Sequence, residues 1–374
     1  MAMSINFMDL KTQYRNLEPL IRQRIDAVLE HGRYCMGPEV TELEQRLGQY
    51  TGSKHVLACS SGTDALLIPL MAYGIGPGDA VFTTPFTFIA TSEVVSLLGA
   101  TPVFVDINEK DYNLDVSKLE DAILRVKNEG KLTPRGIIPV DLFGLNADYT
   151  AINEIAARNN LFVIEDAAQS LGARTGEGMA CSLGHVGATS FYPAKPLGCY
   201  GDGGAIFTDD TTLNNIMESI RVHGQGEDKY NNVRLGINGR LDSIQAGILL
   251  AKLDSFDDEI EARNRVALRY NEKLRGVQTP VIPEGGRCAW ALYSIRAEKR
   301  DQLQAHLKEA GIPSVVYYVK SLHLQDMFAH LGHQPGDFPV SEAVQADILS
   351  LPMHPFLTDD EIDRVVDAVN GFYA

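Results

Sequence analysis

Apolar residues recur at three- and four-residue intervals over residues 14–31 and again over 38–50, a spacing that predicts two amphipathic helices. From Lys54 the rhythm changes to short apolar runs at 56–58, 80–83, 102–105, 136–139 and 162–164, which read as strands. Helical patterns lie between them and begin near Thr63, Thr87, Val116 and Tyr149. Strand and helix in such alternation predict an α/β fold with a mostly parallel central sheet. Two further strands, 187–192 and 204–208, close the series, and one long helix is expected from Leu241 to about Leu274 as a bridge to a second unit. Beyond it, 288–296 and 314–318 read as strands and 300–310 and 358–372 as helices, a smaller α+β C-terminal domain. The expected division is an N-terminal segment 1–14, a large α/β domain 15–250 and a small domain 251–374.

Composition narrows the partners. A net charge of −16 disfavours nucleic acid and anionic membrane surfaces, so an anionic substrate needs a locally basic pocket. Five cysteines, an odd number without C-x-x-C spacing, predict neither a disulfide framework nor a zinc site, and the nine histidines show no ligand spacing. With no run near the roughly 20 apolar residues of a membrane span and no basic-then-apolar opening segment, the expectation is a cytoplasmic enzyme with reduced thiols.

Five motifs carry candidate chemistry. The apolar run Phe162-Val-Ile-Glu-Asp166 ends in acids, and strand ends line the ligand crevice of an open parallel sheet. Asp166 is therefore either a site carboxylate or a turn cap. Ser190-Phe-Tyr-Pro-Ala-Lys195-Pro-Leu-Gly198 holds a lysine among small and turn residues, off any regular helix. Taken alone, Lys195 reads as a solvated charge. Ser60-Ser-Gly62-Thr63-Asp64 follows a strand and opens a helix, which makes it an anion cradle or a plain N-cap. In Thr84-Pro-Phe-Thr-Phe88-Ile-Ala-Thr91, Phe88 either covers a planar ligand or belongs to the core. Gly236-Ile-Asn238-Gly-Arg240-Leu-Asp-Ser-Ile-Gln245 is a polar loop entering the long helix. What joins these pieces is their chemistry as a set. Pyridoxal phosphate requires a lysine amine, a carboxylate that keeps the pyridine nitrogen protonated, and a phosphate cradle.

In this order the motifs, with Phe7-Met-Asp-Leu10 and Gly37-Pro-Glu-Val40 before them and Leu349-Ser-Leu-Pro-Met-His-Pro355 after, resemble the DegT/StrS-type sugar-nucleotide aminotransferases over nearly the whole chain. The resemblance implies the aspartate aminotransferase fold, fold type I, with pyridoxal 5'-phosphate as cofactor and the pyridoxamine form as its intermediate state. It implies Lys195 as the Schiff-base lysine, Asp166 as partner of the ring nitrogen, Gln169 at the ring hydroxyl and Phe88 on the ring face. Gly62, Thr63 and Ser190 are then expected at the phosphate, joined by Asn238 from the neighbouring subunit of a homodimer with shared sites. Within the family, the stretch from Lys195 to Phe207 and the pair Arg240-Leu241 are similar to enzymes acting at C3 of UDP-2-acetamido-2-deoxy-3-oxo-glucuronate. L-Glutamate is the expected donor, and Arg240, Tyr317 and Tyr318 are expected to meet the sugar. Those enzymes carry His-Tyr where this chain has Tyr317-Tyr318, which leaves a dTDP-linked keto-deoxyhexose as the alternative substrate. A sugar dehydratase of the same family carries histidine at the Lys195 position, and Lys195 with Asp166 also opposes a silent binding protein on the same fold.

Overall fold

The computed structural model describes residues 5–176, 178–228, 230–281 and 285–374. Helix α1 (Leu10–His31) begins ahead of the apolar rhythm because the Asp9 carboxylate accepts the Thr12 backbone N–H at 3.0 Å; Gly32, at φ 68°, closes it. It is followed by α2 (Pro38–Thr51), β1 (His55–Cys59), α3 (Gly62–Ala72), β2 (Asp79–Thr83), α4 (Ala90–Leu97), β3 (Thr101–Phe104), α5 (Val116–Glu129), β4 (Thr133–Ile138), α6 (Tyr149–Asn159) and β5 (Phe162–Asp166). The two-residue strands β6 (Arg174–Thr175) and β7 (Gly178–Met179) pair with each other. Then come β8 (Val186–Ser190), β9 (Gly204–Thr208) and α7 (Thr211–Arg221).

Seven strands form one sheet in the order β1-β9-β8-β5-β4-β2-β3. Strand β9 pairs antiparallel with β1 and β8, while β8-β5, β5-β4, β4-β2 and β2-β3 are parallel. Six strands thus run one way and β9 runs against them. Their carboxyl ends, at Cys59, Thr83, Asp166 and Ser190, gather along one edge, where a parallel sheet opens its crevice. Both faces are covered: Leu66, Val94 and Met217 from helices pack on one, and Ile123 and Ile152 on the other. Every residue of β5 is buried, which fixes the edge at its end.

One long helix over 241–274 does not form. The chain makes α8 (Ser243–Leu253), breaks at Asp254 and Ser255, and starts again as α9 (Phe256–Lys273). Asp257, Asp258 and Glu259 in the first turn of α9 suit a fresh helix N-terminus. The apolar rhythm runs through the break because Leu249, Leu250, Leu253, Phe256 and Ile260 all enter the same core. Residue 250 lies inside α8, and the core changes within α9, whose Val266, Ala267 and Tyr270 join a second cluster. That cluster is built on β10 (Tyr293–Arg296), α10 (Arg300–Glu309), β11 (Ile348–Leu351) and α12 (Asp359–Tyr373), with β10 and β11 antiparallel. Helix α11 (Pro339–Asp347), with no counterpart in the sequence pattern, leads into β11.

Two expected strands are corrected. Of 288–296 only the last four residues are strand, because Ala289 N–H and the Cys288 thiol both donate to Gly144 O, at 2.9 and 3.0 Å. Residues 314–318 make a single bridge, Val315 to Ser350, before the chain turns so that Tyr317 and Tyr318 enter the crevice.

Candidate active site

A cavity of about 570 Å³ lies at the carboxyl edge of the sheet, within the range of small-molecule sites. Asp166 reaches it from the end of β5, and Lys195 from the turn after β8. That turn is tight: Lys195 N–H donates to Tyr192 O at 2.8 Å, and a Cβ on Gly198 would meet Pro193 O at 2.5 Å. Lys195 is half-buried in the cavity wall, which excludes the reading of a freely solvated charge. Burial lowers its pKa, and the negative charge of Asp166 opposes that shift.

Asp166 is buried, and its carboxylate is not a turn cap alone. Thr91 Oγ1 donates to Oδ2 at 2.7 Å and the Ala168 N–H to Oδ1 at 3.3 Å. Burial raises the Asp166 pKa, while Thr91, Ala168 and the Lys195 charge pull it back. Thr91 had no assigned role in the sequence. The signal was available in principle, since a buried carboxylate needs donors and the motif 84–91 ends in threonine.

Helix α3 points its N-terminus into the same cavity, with Gly62 and Thr63 in the first turn, where backbone N–H groups have no intrahelical acceptor. Ser61 caps the helix by accepting the Asp64 N–H at 3.0 Å. Ser190, ending β8, crowds Gly62 so closely that a Cβ there would stand 2.6 Å from the Ser190 Cβ. Glycine is required here, and the outcome is a backbone cradle bordered by a hydroxyl.

Gln169 lines the cavity with its amide fixed: Oε1 accepts the Phe143 N–H at 2.8 Å and Nε2 donates to the Tyr318 hydroxyl at 3.1 Å. Tyr317 lines the wall beside Tyr318. Phe88 is 56% exposed and lines the cavity, so it is not a core residue. Phe7, Met8 and Asp202, given no role in the sequence, also reach the lining. Asn238 and Arg240 do not line it. Asn238 is exposed, Arg240 Nε donates to its Oδ1 at 2.9 Å, and the loop is tied to the end of β1 by Ser60 N–H to Gly239 O.

An amine, a buried carboxylate held by donors, an anion-ready helix terminus and an uncovered aromatic face fit pyridoxal phosphate in donor type and in charge. With a sheet in which only β9 is reversed, they define a fold type I pyridoxal-phosphate transferase. Residues 16–370 match the DegT/DnrJ/EryC1/StrS aminotransferase family, and the chain belongs to that family. It is 46% identical to the UDP-2-acetamido-2-deoxy-3-oxo-D-glucuronate aminotransferase of Pseudomonas aeruginosa, over 98% of this chain and 100% of that one. A pleiotropic regulatory protein of Geobacillus stearothermophilus is 42% identical over 99% of each chain. Among solved structures, a DegT DnrJ EryC1 StrS aminotransferase from Brucella abortus superposes with a TM-score of 0.97 at 54% identity, covering 99% of this chain and 100% of that one. NtdA from Bacillus subtilis, with bound cofactor PMP, gives 0.87 at 30% identity, covering 95% and 82%.

Proposed function

We propose that this aminotransferase moves an amino group from L-glutamate to C3 of UDP-2-acetamido-2-deoxy-3-oxo-glucuronate in the cytoplasm, with pyridoxal 5'-phosphate as cofactor. The observation that carries the reaction class is the placement of Lys195 and Asp166 in one cavity beside the N-terminus of α3. The full-length likeness to the Pseudomonas enzyme carries the choice of sugar.

The cofactor supplies an electron-accepting ring and an aldehyde carbon that carries the amino group from donor to acceptor. Lys195 Nζ would be its covalent anchor and, as a free amine, the base for the proton on the donor α-carbon. Burial suits it to that work by favouring the neutral amine. The Asp166 carboxylate, which burial pushes towards the neutral form and Thr91 and Ala168 pull back towards the charged one, would hold the proton on the ring nitrogen. Gly62, Thr63 and Ser190, which line the cavity, would hold the phosphate, Phe88 would cover the ring and Gln169 would meet the ring hydroxyl. Because donor and acceptor use one site in turn, the kinetics are ping-pong.

Asn238 and Arg240 are assigned to the cavity of a second copy in a homodimer, Asn238 at its phosphate and Arg240 at the sugar carboxylate. Asn238 is exposed, Arg240 is half-buried, and neither lines this chain's own cavity, which supports that reading. A planar guanidinium grips a carboxylate at two points, and in an acidic protein it supplies the positive charge the substrate needs. Tyr317 and Tyr318 add neutral contacts to the sugar. Among the described residues no helix is long and apolar enough to cross a membrane, and the five cysteines are free.

The test is turnover of the 3-oxo-glucuronate, generated in place by a dehydrogenase, against dTDP-linked 3-keto-6-deoxy sugars. The uronate is expected to be preferred, and Arg240→Ala to lower kcat/KM for it by about 10- to 100-fold, the value of a charge-assisted bond of about 1.5–3 kcal/mol. Preference for the neutral sugar, or an Arg240→Ala enzyme unchanged on the uronate, overturns the substrate.

A further inference from the structure

Strand β5 ends in two adjacent acids, and neighbouring strand residues face opposite sides of the sheet. Asp166 faces the cavity. Glu165 is wholly buried and does not line it. Its carboxyl accepts the backbone N–H of Cys181 at 2.6 Å and of Leu183 at 2.9 Å, and is hydrogen-bonded to the carboxyl of Asp141, itself wholly buried. Asp141 accepts from the Ala147 N–H at 3.0 Å, the Tyr149 hydroxyl at 3.0 Å and Ser170 Oγ at 2.8 Å.

The other partners named for these two carboxyls all donate, so a hydrogen bond between the carboxyls needs a proton on one of them. Burial drives the Glu165 carboxyl far above the usual carboxylate range, and the charge of Asp141 adds to it. Burial raises the Asp141 carboxyl as well, so the two hold a proton between them.

Asp141, braced by Glu165, reaches Gln169 from two directions. On one side is Ser170, the next residue, bonded to Asp141. On the other, Asp141 opens the turn Leu142–Gly144, whose Phe143 N–H holds Gln169 Oε1. That turn is not self-sustaining: Phe143 sits at φ 60°, and a Cβ on Gly144, at φ 105°, would meet Trp290 N at 2.6 Å. With Oε1 occupied, Gln169 has only its Nε2 donor left to offer, beside Tyr318.

We propose that Glu165 and Asp141 are a proton-sharing positioning pair that fixes the Gln169 amide so that it presents a donor to the cofactor's ring oxygen. The inference rests on the cofactor placement proposed above. Neither acid is a catalytic residue, since both act through Gln169.

The experiment is a pH titration of visible absorption in cofactor-loaded wild type, Asp141→Asn, Gln169→Ala and the double variant. A donor at the ring oxygen stabilises its negative charge, so losing it raises the titration midpoint, by about half a unit or more. Both single variants are expected to show that rise, and the double variant no more than Gln169→Ala alone, the sign of one shared path. Additive shifts, or no shift in Asp141→Asn beside a shift in Gln169→Ala, overturn the pair's role while leaving the placement of Gln169 intact. No shift in Gln169→Ala overturns that placement and this inference with it. If Asp141→Asn does not fold, Ser170→Ala, which removes one hydrogen bond to Asp141, replaces it in the cycle. Glu165→Leu, which removes the carboxyl altogether, is expected to shift the midpoint as Asp141→Asn does. A wild-type midpoint in Glu165→Leu also overturns the proposal.

Discussion

Thr91 Oγ1 donates to Asp166 Oδ2 at 2.7 Å, joining the start of α4 to the end of β5 inside the active-site wall. Both residues are buried, so nothing in solvent replaces that bond when it is lost. A hydrogen bond to a charged group contributes about 1.5–3 kcal/mol, and this one acts on the acid that must stay ionised. Thr91→Val is therefore expected to lower kcat by about 10- to 100-fold at neutral pH. Because Thr91 pulls the Asp166 pKa down, its removal also moves the acid limb of the pH–rate profile upward. A profile that keeps its acid limb in Thr91→Val argues against this function of the bond.

In the role proposed for it, Lys195 is both covalent anchor and proton-moving amine, and Lys195→Ala removes both. Turnover is expected to fall by at least about a thousandfold with the fold intact by circular dichroism. Borohydride reduction of the wild-type holoenzyme, followed by peptide mapping, should place the cofactor on Lys195. Label on any other lysine contradicts the assignment.

The approach of Gly62 to Ser190 yields a test that separates shape from chemistry. A methyl at Gly62 is forced against the Ser190 Cβ, 2.6 Å away, and overpacking of this kind costs about 1–3 kcal/mol. Gly62→Ala should weaken cofactor binding by about 5- to 150-fold. In a Ser190→Gly background the same change should cost much less, because the obstructing carbon is gone. Equal losses in both backgrounds, read by equilibrium dialysis, exclude steric crowding as the cause.

Lys252 lies buried in α8 with Nζ donating to Gly198 O at 2.5 Å, beneath the turn that carries Lys195. Burial holds its pKa down at about 8, against the opposing charges of Glu259 and Cys199. Between pH 8 and 10.5 the unfolded chain keeps a proton that the folded protein has released, so this group makes stability rise with pH across that window. Urea unfolding of wild type should gain stability from pH 8 to 10 relative to Lys252→Met, which lacks the titration. Parallel pH dependences of the two proteins rule out a depressed Lys252.

Local pattern was enough for much of this protein. Short apolar runs located the strands of the main sheet to within a few residues, since a strand such as β5, buried along its whole length, announces itself by apolar content alone. The motif set around Gly62, Asp166, Gln169, Ser190 and Lys195 was visible because cofactor chemistry demands particular residue types. Where the pattern failed, two elements shared one core. The break between α8 and α9 leaves the apolar spacing unchanged, and residues 288–292 read as strand although they are held by the turn at Gly144.

By itself, then, the sequence determined the α/β order and the mostly parallel sheet, which follow from side-chain type and spacing along the chain, and it nominated the candidate reactive groups. Tertiary structure alone decided which groups meet. Residues 91 and 166 are 75 positions apart, and residues 169 and 318 are 149 apart, so no periodicity connects them. The proton shared by Glu165 and Asp141 is a tertiary property as well, because an isolated carboxyl ionises at neutral pH and only burial beside a second one retains the proton. Spacing reports what a segment can bury, whereas charge state and hydrogen-bond partner depend on what the rest of the chain brings to that place.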